Sequence, residues 1–154
     1  MLLVSLDIDG TVEGGDPSGP VPLEFARRAR ALGAVIGSSS DRTISDQRDF
    51  WEAGGVQVDF LVLKHQLPDL PGRYPCNRYL HIGDSMMDEY YATVAGFEFW
   101  SVPRLVRQLA TAFVGTAALT EHLLHRLGAV RHHEVSPLTD QRVAPIDRRR
   151  GESQ

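Results

Sequence analysis

The sequence predicts a doubly wound α/β fold, in which a parallel sheet carries helices on both faces. Five short apolar segments alternate along the chain with longer segments whose apolar residues recur at helical spacing. The short segments lack the two-residue alternation of a half-exposed sheet, as expected when helices cover both faces. The predicted strands are residues 2–6, 34–37, 58–63, 79–82 and 97–102.

Glycines follow the predicted helices, since glycine readily takes the left-handed conformation that ends a helix. The helices predicted between the strands are residues 22–32, 43–53 and 85–95. Residues 104–128 carry a further apolar stripe at helical spacing, and Gly115 is a candidate break between two helices. Residues 13–20 and 65–78 contain Gly and Pro and are predicted to be loops.

The length of 154 residues suits one domain, and 42% hydrophobic residues supply a core. We assign residues 1–130 to a single domain that includes the 104–128 stripe. That stripe needs a partner, which is either the domain's own sheet or a second copy of the chain. Residues 131–154 are polar and without periodicity, so we expect a disordered tail.

The overall charge argues against a general nucleic-acid or membrane binder, because the net charge is −4 and both partners are polyanionic. Cys76 is the only cysteine, so no disulfide within the chain is possible. The N-terminal apolar run is interrupted by acids and has no basic start, unlike a signal peptide. These features predict a cytoplasmic protein without a membrane partner.

Polar residues follow four of the predicted strands. Asp7 and Asp9 follow the first strand, a run of three serines ends the second, Lys64 follows the third and Asp84 the fourth. The carboxyl ends of parallel strands meet at one edge of a sheet, where ligands bind. Carboxylate oxygens suit Mg²⁺, and a lysine neutralises phosphoryl oxygens. The sequence therefore predicts a crevice that holds a divalent cation and a phosphate together.

These residues resemble the motifs of the haloacid-dehalogenase-like (HAD) superfamily. Residues 7–11, Asp-Ile-Asp-Gly-Thr, resemble its DxDGT signature, and 83–88 resemble its GDxxxD motif. Residues 38–40 resemble the second motif, a Ser or Thr at a strand end, and Lys64 resembles the third. The resemblance covers roughly residues 1–103. It implies a magnesium-dependent phosphatase with a Rossmann-like core.

The resemblance also implies roles for the acids and the lysine. Asp7 would attack phosphorus and form an aspartyl-phosphate, with Lys64 offsetting charge, while Asp9 would act as general acid and base. Mg²⁺ would be held by Asp7, the backbone carbonyl of Asp9, and Asp84. Asp88, four residues after Asp84, would be a further ligand or lie beside the ligands. Its plainer interpretation is an acid near a helix N-terminus.

The resemblance implies that the second motif and the loop after Asp7 bind the phosphate. Ser38 follows directly from the apolar strand, whereas a common family spacing of seven residues from Gly33 points to Ser40, and both remain candidates. Gly10 and Thr11 would shape the phosphate-binding loop. 

Outside the motifs, Arg42 follows the second motif and is either a substrate contact or a solvated arginine. His81 lies within a predicted strand and is expected in the core.

HAD enzymes usually carry a cap domain after the first motif or after the second or third. Residues 12–37 and 65–83 are too short to hold one, so the chain resembles a capless member with a flap at 12–20. An open site suits a phosphorylated small molecule or an exposed phosphate on a macromolecule. The alternative is a low-turnover regulatory or interaction module that binds metal and phosphate. A homo-oligomer through the 104–128 helix is a further expectation.

Overall fold

The computed structural model describes residues 1–109 and 115–128. Within them, five parallel strands form one sheet in the order β3-β2-β1-β4-β5. The strands are β1 (Leu2–Leu6), β2 (Val35–Ser40), β3 (Phe60–Leu63), β4 (Arg78–Gly83) and β5 (Glu98–Ser101). The helices are α1 (Leu23–Ala31), α2 (Ile44–Ala53), a 3₁₀ helix (Lys64–Asp69), α3 (Leu70–Arg73), α4 (Met86–Ala95), α5 (Val102–Leu109) and α6 (Thr116–Arg126).

Alternate residues of the central strand β1 enter two separate cores. Val4 and Leu6 pack in a core that α1, α2, α5 and α6 help to form. Leu3 points to the opposite face, where it packs with Leu67 and Ala92 from the 3₁₀ helix and α4. Helices thus cover both faces, and the predicted doubly wound α/β sheet is confirmed.

The strand register brings the polar strand ends to one edge of the sheet. Leu6 pairs with Ser38 on one side and with Ile82 on the other. The backbone N–H of Asp7 donates to the carbonyl of Ile82 at 2.9 Å, so the central strand ends level with β4. The carboxyl ends of β1, β2 and β4 therefore meet at the same edge.

The predicted apolar stripe at 104–128 packs against the chain's own core. Leu105, Leu123, Leu124 and Leu127 are all buried there. Gly115 precedes α6, in keeping with the expected break, although residues 110–114 lie outside the described part. Because the core already covers the buried side of this stripe, a homo-oligomer through it gains no support and stays a prediction. The predicted tail, 131–154, also lies outside the described residues.

The prediction of a loop over 65–78 was partly wrong, because the 3₁₀ helix and α3 occupy residues 64–73. Leu67 and Leu70 are fully buried and fix these turns on the sheet. Proline is tolerated at the start of a helix, where its missing N–H would have no partner, and Pro71 lies in the first turn of α3. Residues 64–73 therefore pack on the sheet as helical turns, and only residues 74–77 keep the predicted loop.

The segment after the first motif is a tight flap. An isolated bridge pairs Val12 with Val21, and both side chains are buried. The described residues contain no folded cap. None of the described helices has the length and hydropathy needed to cross a membrane.

Candidate active site

Asp7 lies at the end of the central strand, with 4% of its surface exposed. The Thr11 hydroxyl donates to its Oδ2 at 3.3 Å. The ammonium of Lys64 lies 3.6 Å from its Oδ1. Burial and the negative charge of Asp88 raise the pKa of Asp7 to about 8, although Lys64 opposes that shift. Burial and nearby negative charge therefore favour the protonated, neutral form of Asp7 when no metal is bound.

Three carboxyl groups meet at this point. Oxygens of Asp7, Asp84 and Asp88 all lie within 4.8 Å of one another. Hard oxygen donors at this spacing suit a small divalent cation, which would neutralise the repulsion that raises the pKa of Asp7. The donor set therefore fits Mg²⁺.

Gly10 allows Asp84 to approach the loop after the first motif. Its φ of 74° is a left-handed conformation that favours glycine. A Cβ atom at this position would overlap the Asp84 carboxylate. The glycine of the first motif is thus needed both for the turn and for the space that the second acid occupies.

Asp88 is fully buried, accepts three hydrogen bonds and forms an ion pair with Lys64. Its Oδ1 accepts from His81 Nε2 at 2.8 Å and lies 3.2 Å from Lys64 Nζ. Its Oδ2 accepts from the Ser85 hydroxyl at 2.7 Å and from the Ser85 backbone N–H at 3.1 Å. Burial alone would raise the pKa of Asp88, but hydrogen bonds from His81 and Ser85 and the charge of Lys64 lower it to about 2.

Three hydrogen bonds and one ammonium contact occupy most of the acceptor sites of the Asp88 carboxylate. In this arrangement Asp88 holds Lys64 and caps α4. Both interpretations from the sequence apply, because Asp88 lies next to the other two acids and also caps a helix. A role for Asp88 as a metal ligand stays a prediction, and Asp7 and Asp84 are the acids of the group with fewer donors around them.

Lys64 stands among three acids and is 6% exposed at its side chain. In addition to Asp7 and Asp88, its ammonium lies 3.4 Å from Asp41 Oδ2, which is well exposed. Burial lowers the pKa of Lys64, but the charges of Asp7, Asp88 and Asp41 outweigh it and raise the pKa above its usual value. The lysine is therefore charged at neutral pH and directed at Asp7.

A row of buried polar side chains crosses β2, β1 and β4. The hydroxyls of Ser39 and Ser5 lie 2.7 Å apart, and Ser5 Oγ lies 2.9 Å from His81 Nδ1. His81 then reaches Asp88, so the row ends at the acid that holds Lys64. The histidine is buried, as expected, but its place in this row was missed. Polar residues within apolar strands were the available signal.

The structure separates the two candidate serines of the second motif. The Ser38 hydroxyl donates to Gln47 Oε1 at 2.6 Å and accepts from Trp51 Nε1 at 2.9 Å, both on α2. Its only proton is thus used in the core, which favours Ser40 of the two candidates, although the choice of phosphate contact stays a prediction. The Ser40 hydroxyl accepts from the backbone N–H of Arg42 at 3.1 Å, so its own proton remains available.

Asp9 points to the flap side and is held by Arg42. Arg42 Nη2 donates to Asp9 Oδ1 at 2.6 Å, and Nε lies 3.1 Å from Oδ2. The backbone N–H of Asp16, in the flap, also donates to Asp9 Oδ1 at 2.8 Å. The hydrogen bonds from Arg42, more than any other cause, lower the pKa of Asp9. No pattern in the sequence predicted that these two side chains would pair.

The fold and these acids define a class, a doubly wound α/β protein with an acidic site at the carboxyl edge of its parallel sheet and no cap among the described residues. No family model matches the chain, and no match is found among curated proteins. Among solved structures, the chain is similar to the D,D-heptose 1.7-bisphosphate phosphatase from B. bronchiseptica, in complex with magnesium and phosphate. The TM-score is 0.58 at 20% identity, over 82% of this chain and 99% of that chain. The likeness confirms the predicted fold.

Proposed function

We propose that the protein is a Mg²⁺-dependent phosphomonoester hydrolase in which Asp7 is the nucleophile. The observation that carries the proposal is the convergence of Asp7, Asp84 and the charged Lys64 at one sheet edge. That set provides a nucleophile, cation ligands and a fixed positive charge. The likeness in fold to a phosphatase bound to magnesium and phosphate supports phosphoryl chemistry.

In the first step, an Asp7 oxygen would form a bond to phosphorus while the ester P–O bond breaks. Asp9 would give a proton to the departing oxygen, and the substrate alcohol would leave. In the second step, Asp9 would take a proton from water as the water oxygen attacks phosphorus. The Asp7–phosphorus bond then breaks, and inorganic phosphate is released with both aspartates restored.

The remaining residues would bind and orient the phosphoryl group. Lys64 would balance charge between Asp7 and a phosphoryl oxygen, and Asp88 would hold that lysine in place. Ser40 would donate its hydroxyl proton to a phosphoryl oxygen, and the turn at Gly10 and Thr11 would shape the pocket. Asp7 and Asp84, with the Asp9 carbonyl, would hold Mg²⁺, which when bound stabilises negative charge on the phosphoryl group.

The substrate would be a phosphorylated small molecule or an exposed phosphate on a macromolecule, because the described residues provide only the short flap near the site. A cytoplasmic location stays a prediction.

The test is hydrolysis of p-nitrophenyl phosphate in EDTA and with Mg²⁺. We expect Mg²⁺-dependent turnover, and acid quenching should trap a phosphoenzyme. Asp7→Asn should abolish both, and Asp9→Asn should lose about 10²–10⁴-fold in rate. Asp49→Asn, at an exposed position on α2, is the matched control and should behave as wild type.

Full activity in EDTA, or a trapped phosphoenzyme in Asp7→Asn, contradicts the proposal. Tight Mg²⁺ and phosphate binding without turnover would instead indicate the low-turnover binding module.

A further inference from the structure

Arg42 occupies a defined place beside the site. Its guanidinium forms a two-point ion pair with Asp9 and lies 5.3 Å from the centre of the Phe50 ring. Its backbone is fixed at both ends, because the N–H donates to Ser40 Oγ and the carbonyl accepts from Gln47 Nε2 at 2.9 Å. The guanidinium can therefore change partner without any movement of the loop that carries Ser40.

The position of this cation matters because of the proposed function, on which this inference rests. If Asp9 gives its proton to the departing oxygen, the rest of the leaving group must extend past Asp9. The guanidinium of Arg42 and the flap residue Asp16 border Asp9 on that side. A leaving group would thus meet a planar cation with hydrogen-bond donors in a fork, a geometry that matches carboxylate and phosphate.

The pair as it stands engages the carboxyl that the proposed reaction needs. Both oxygens of Asp9 accept hydrogen bonds from Arg42, so the carboxyl has to leave the guanidinium before it can serve a departing oxygen. The ion pair is partly open to solvent, with 25% of the Arg42 side chain and 36% of the Asp9 side chain accessible. Ion pairs that solvent reaches contribute only about 0–1 kcal/mol, so the guanidinium can exchange Asp9 for another oxyanion at small cost. A second anionic group on the substrate could make that exchange.

We propose that Arg42 is a specificity-determining residue that binds a second anionic group on the substrate's leaving portion. The preferred substrate class is then a phosphomonoester that carries a carboxylate or a second phosphate. Binding of that group replaces Asp9 at the guanidinium and turns the Asp9 carboxyl toward the departing oxygen. Esters without a second anion leave the pair intact and are hydrolysed slowly.

The experiment compares phenyl phosphate with its 3-carboxy and 4-carboxy derivatives, which add one negative charge to the same leaving group. The measured quantity is the ratio of kcat/KM for each carboxylated ester to that for phenyl phosphate. Arg42→Gln should lower the better of the two ratios at least about tenfold, or 1.4 kcal/mol of coupling. Arg42→Lys keeps the charge without the forked donors, and its ratio should lie between those of the wild type and Arg42→Gln.

Arg48→Gln is the matched control, because Arg48 is an exposed arginine on α2 that lines a separate groove beside β3. It should leave both ratios unchanged. An equal loss on charged and uncharged esters in Arg42→Gln overturns the inference and leaves the proposed function standing. If the wild-type protein with Mg²⁺ hydrolyses none of the three esters, the proposed function fails and this inference with it.

Discussion

Replacing Lys64 by methionine should destabilise the protein, because the lysine lies among buried acids. Its Nζ lies 3.2 Å from Asp88 Oδ1 and 3.6 Å from Asp7 Oδ1. Methionine is of similar length but carries no charge. The substitution therefore removes the cation and leaves the acids in place.

The expected magnitude depends on which acid stays charged without Mg²⁺. The pKa of Asp7 is about 8, so at pH 7 most of it is protonated and needs no cation. The pKa of Asp88 is about 2, so its charge persists. Breaking one buried ion pair costs about 3–5 kcal/mol. Since His81 and Ser85 still donate to Asp88, we expect the lower end, about 3 kcal/mol of unfolding free energy.

The assay is urea unfolding at pH 7 in EDTA, for Lys64→Met, Asp88→Asn and the double variant. The double variant should lose less than the sum of the two single losses by about 1–3 kcal/mol, because each single change leaves the other group unpaired. Arg48→Met, at an exposed position, controls for the new side chain. A Lys64→Met variant within about 0.5 kcal/mol of wild type, or additive losses, would refute the reasoning.

Two further predictions concern Asp7 and the serines. In EDTA, Asp7→Asn should raise the thermal unfolding temperature above wild type by clearly more at pH 9 than at pH 5. A raised folded-state pKa gives stability that is present below the ordinary pKa of 3.8 and lost as the pH rises through about 8, and Asn does not titrate. The same elevation at both pH values would contradict this. Ser40→Ala should lower kcat/KM about tenfold with little change in stability. Ser38→Ala should cost about 1–3 kcal/mol, since it leaves Trp51 Nε1 without its buried acceptor. The opposite pattern would restore Ser38 as the phosphate contact.

The fold could be predicted because its signals are local. Short apolar runs indicate the strands, and apolar stripes at helical spacing that end in glycine indicate the helices. A parallel sheet then follows from their alternation. The prolines over 65–78 wrongly indicated a loop, because proline is compatible with a helix when it lies in the first turn. Burial of Leu67 and Leu70 holds these turns on the sheet, and that packing could not be read from the sequence.

The candidate site could be predicted as a set of residues but not as a set of contacts. Strand ends in a parallel sheet share one edge, which is why Asp7, Lys64 and Asp84 could be grouped in advance. The contacts of Asp88 could not be foreseen, because its partners come from β4, the turn before α4 and the residue after β3. Nor could the pairing of Asp9 with Arg42, which joins loops 33 residues apart.

The sequence by itself determined the α/β architecture and the residue types at the sheet edge, because periodicity and strand ends are written along the chain. Only the tertiary structure decided which serine hydroxyl keeps a free proton, which buried acid lies nearest to Lys64 and which arginine forms an ion pair with Asp9. Those choices depend on how α2 and α4 lie against the sheet, and that position is set by packing of the whole core. Side-chain hydrogen bonds act over about 3 Å, so they follow from the packed structure and not from spacing along the chain.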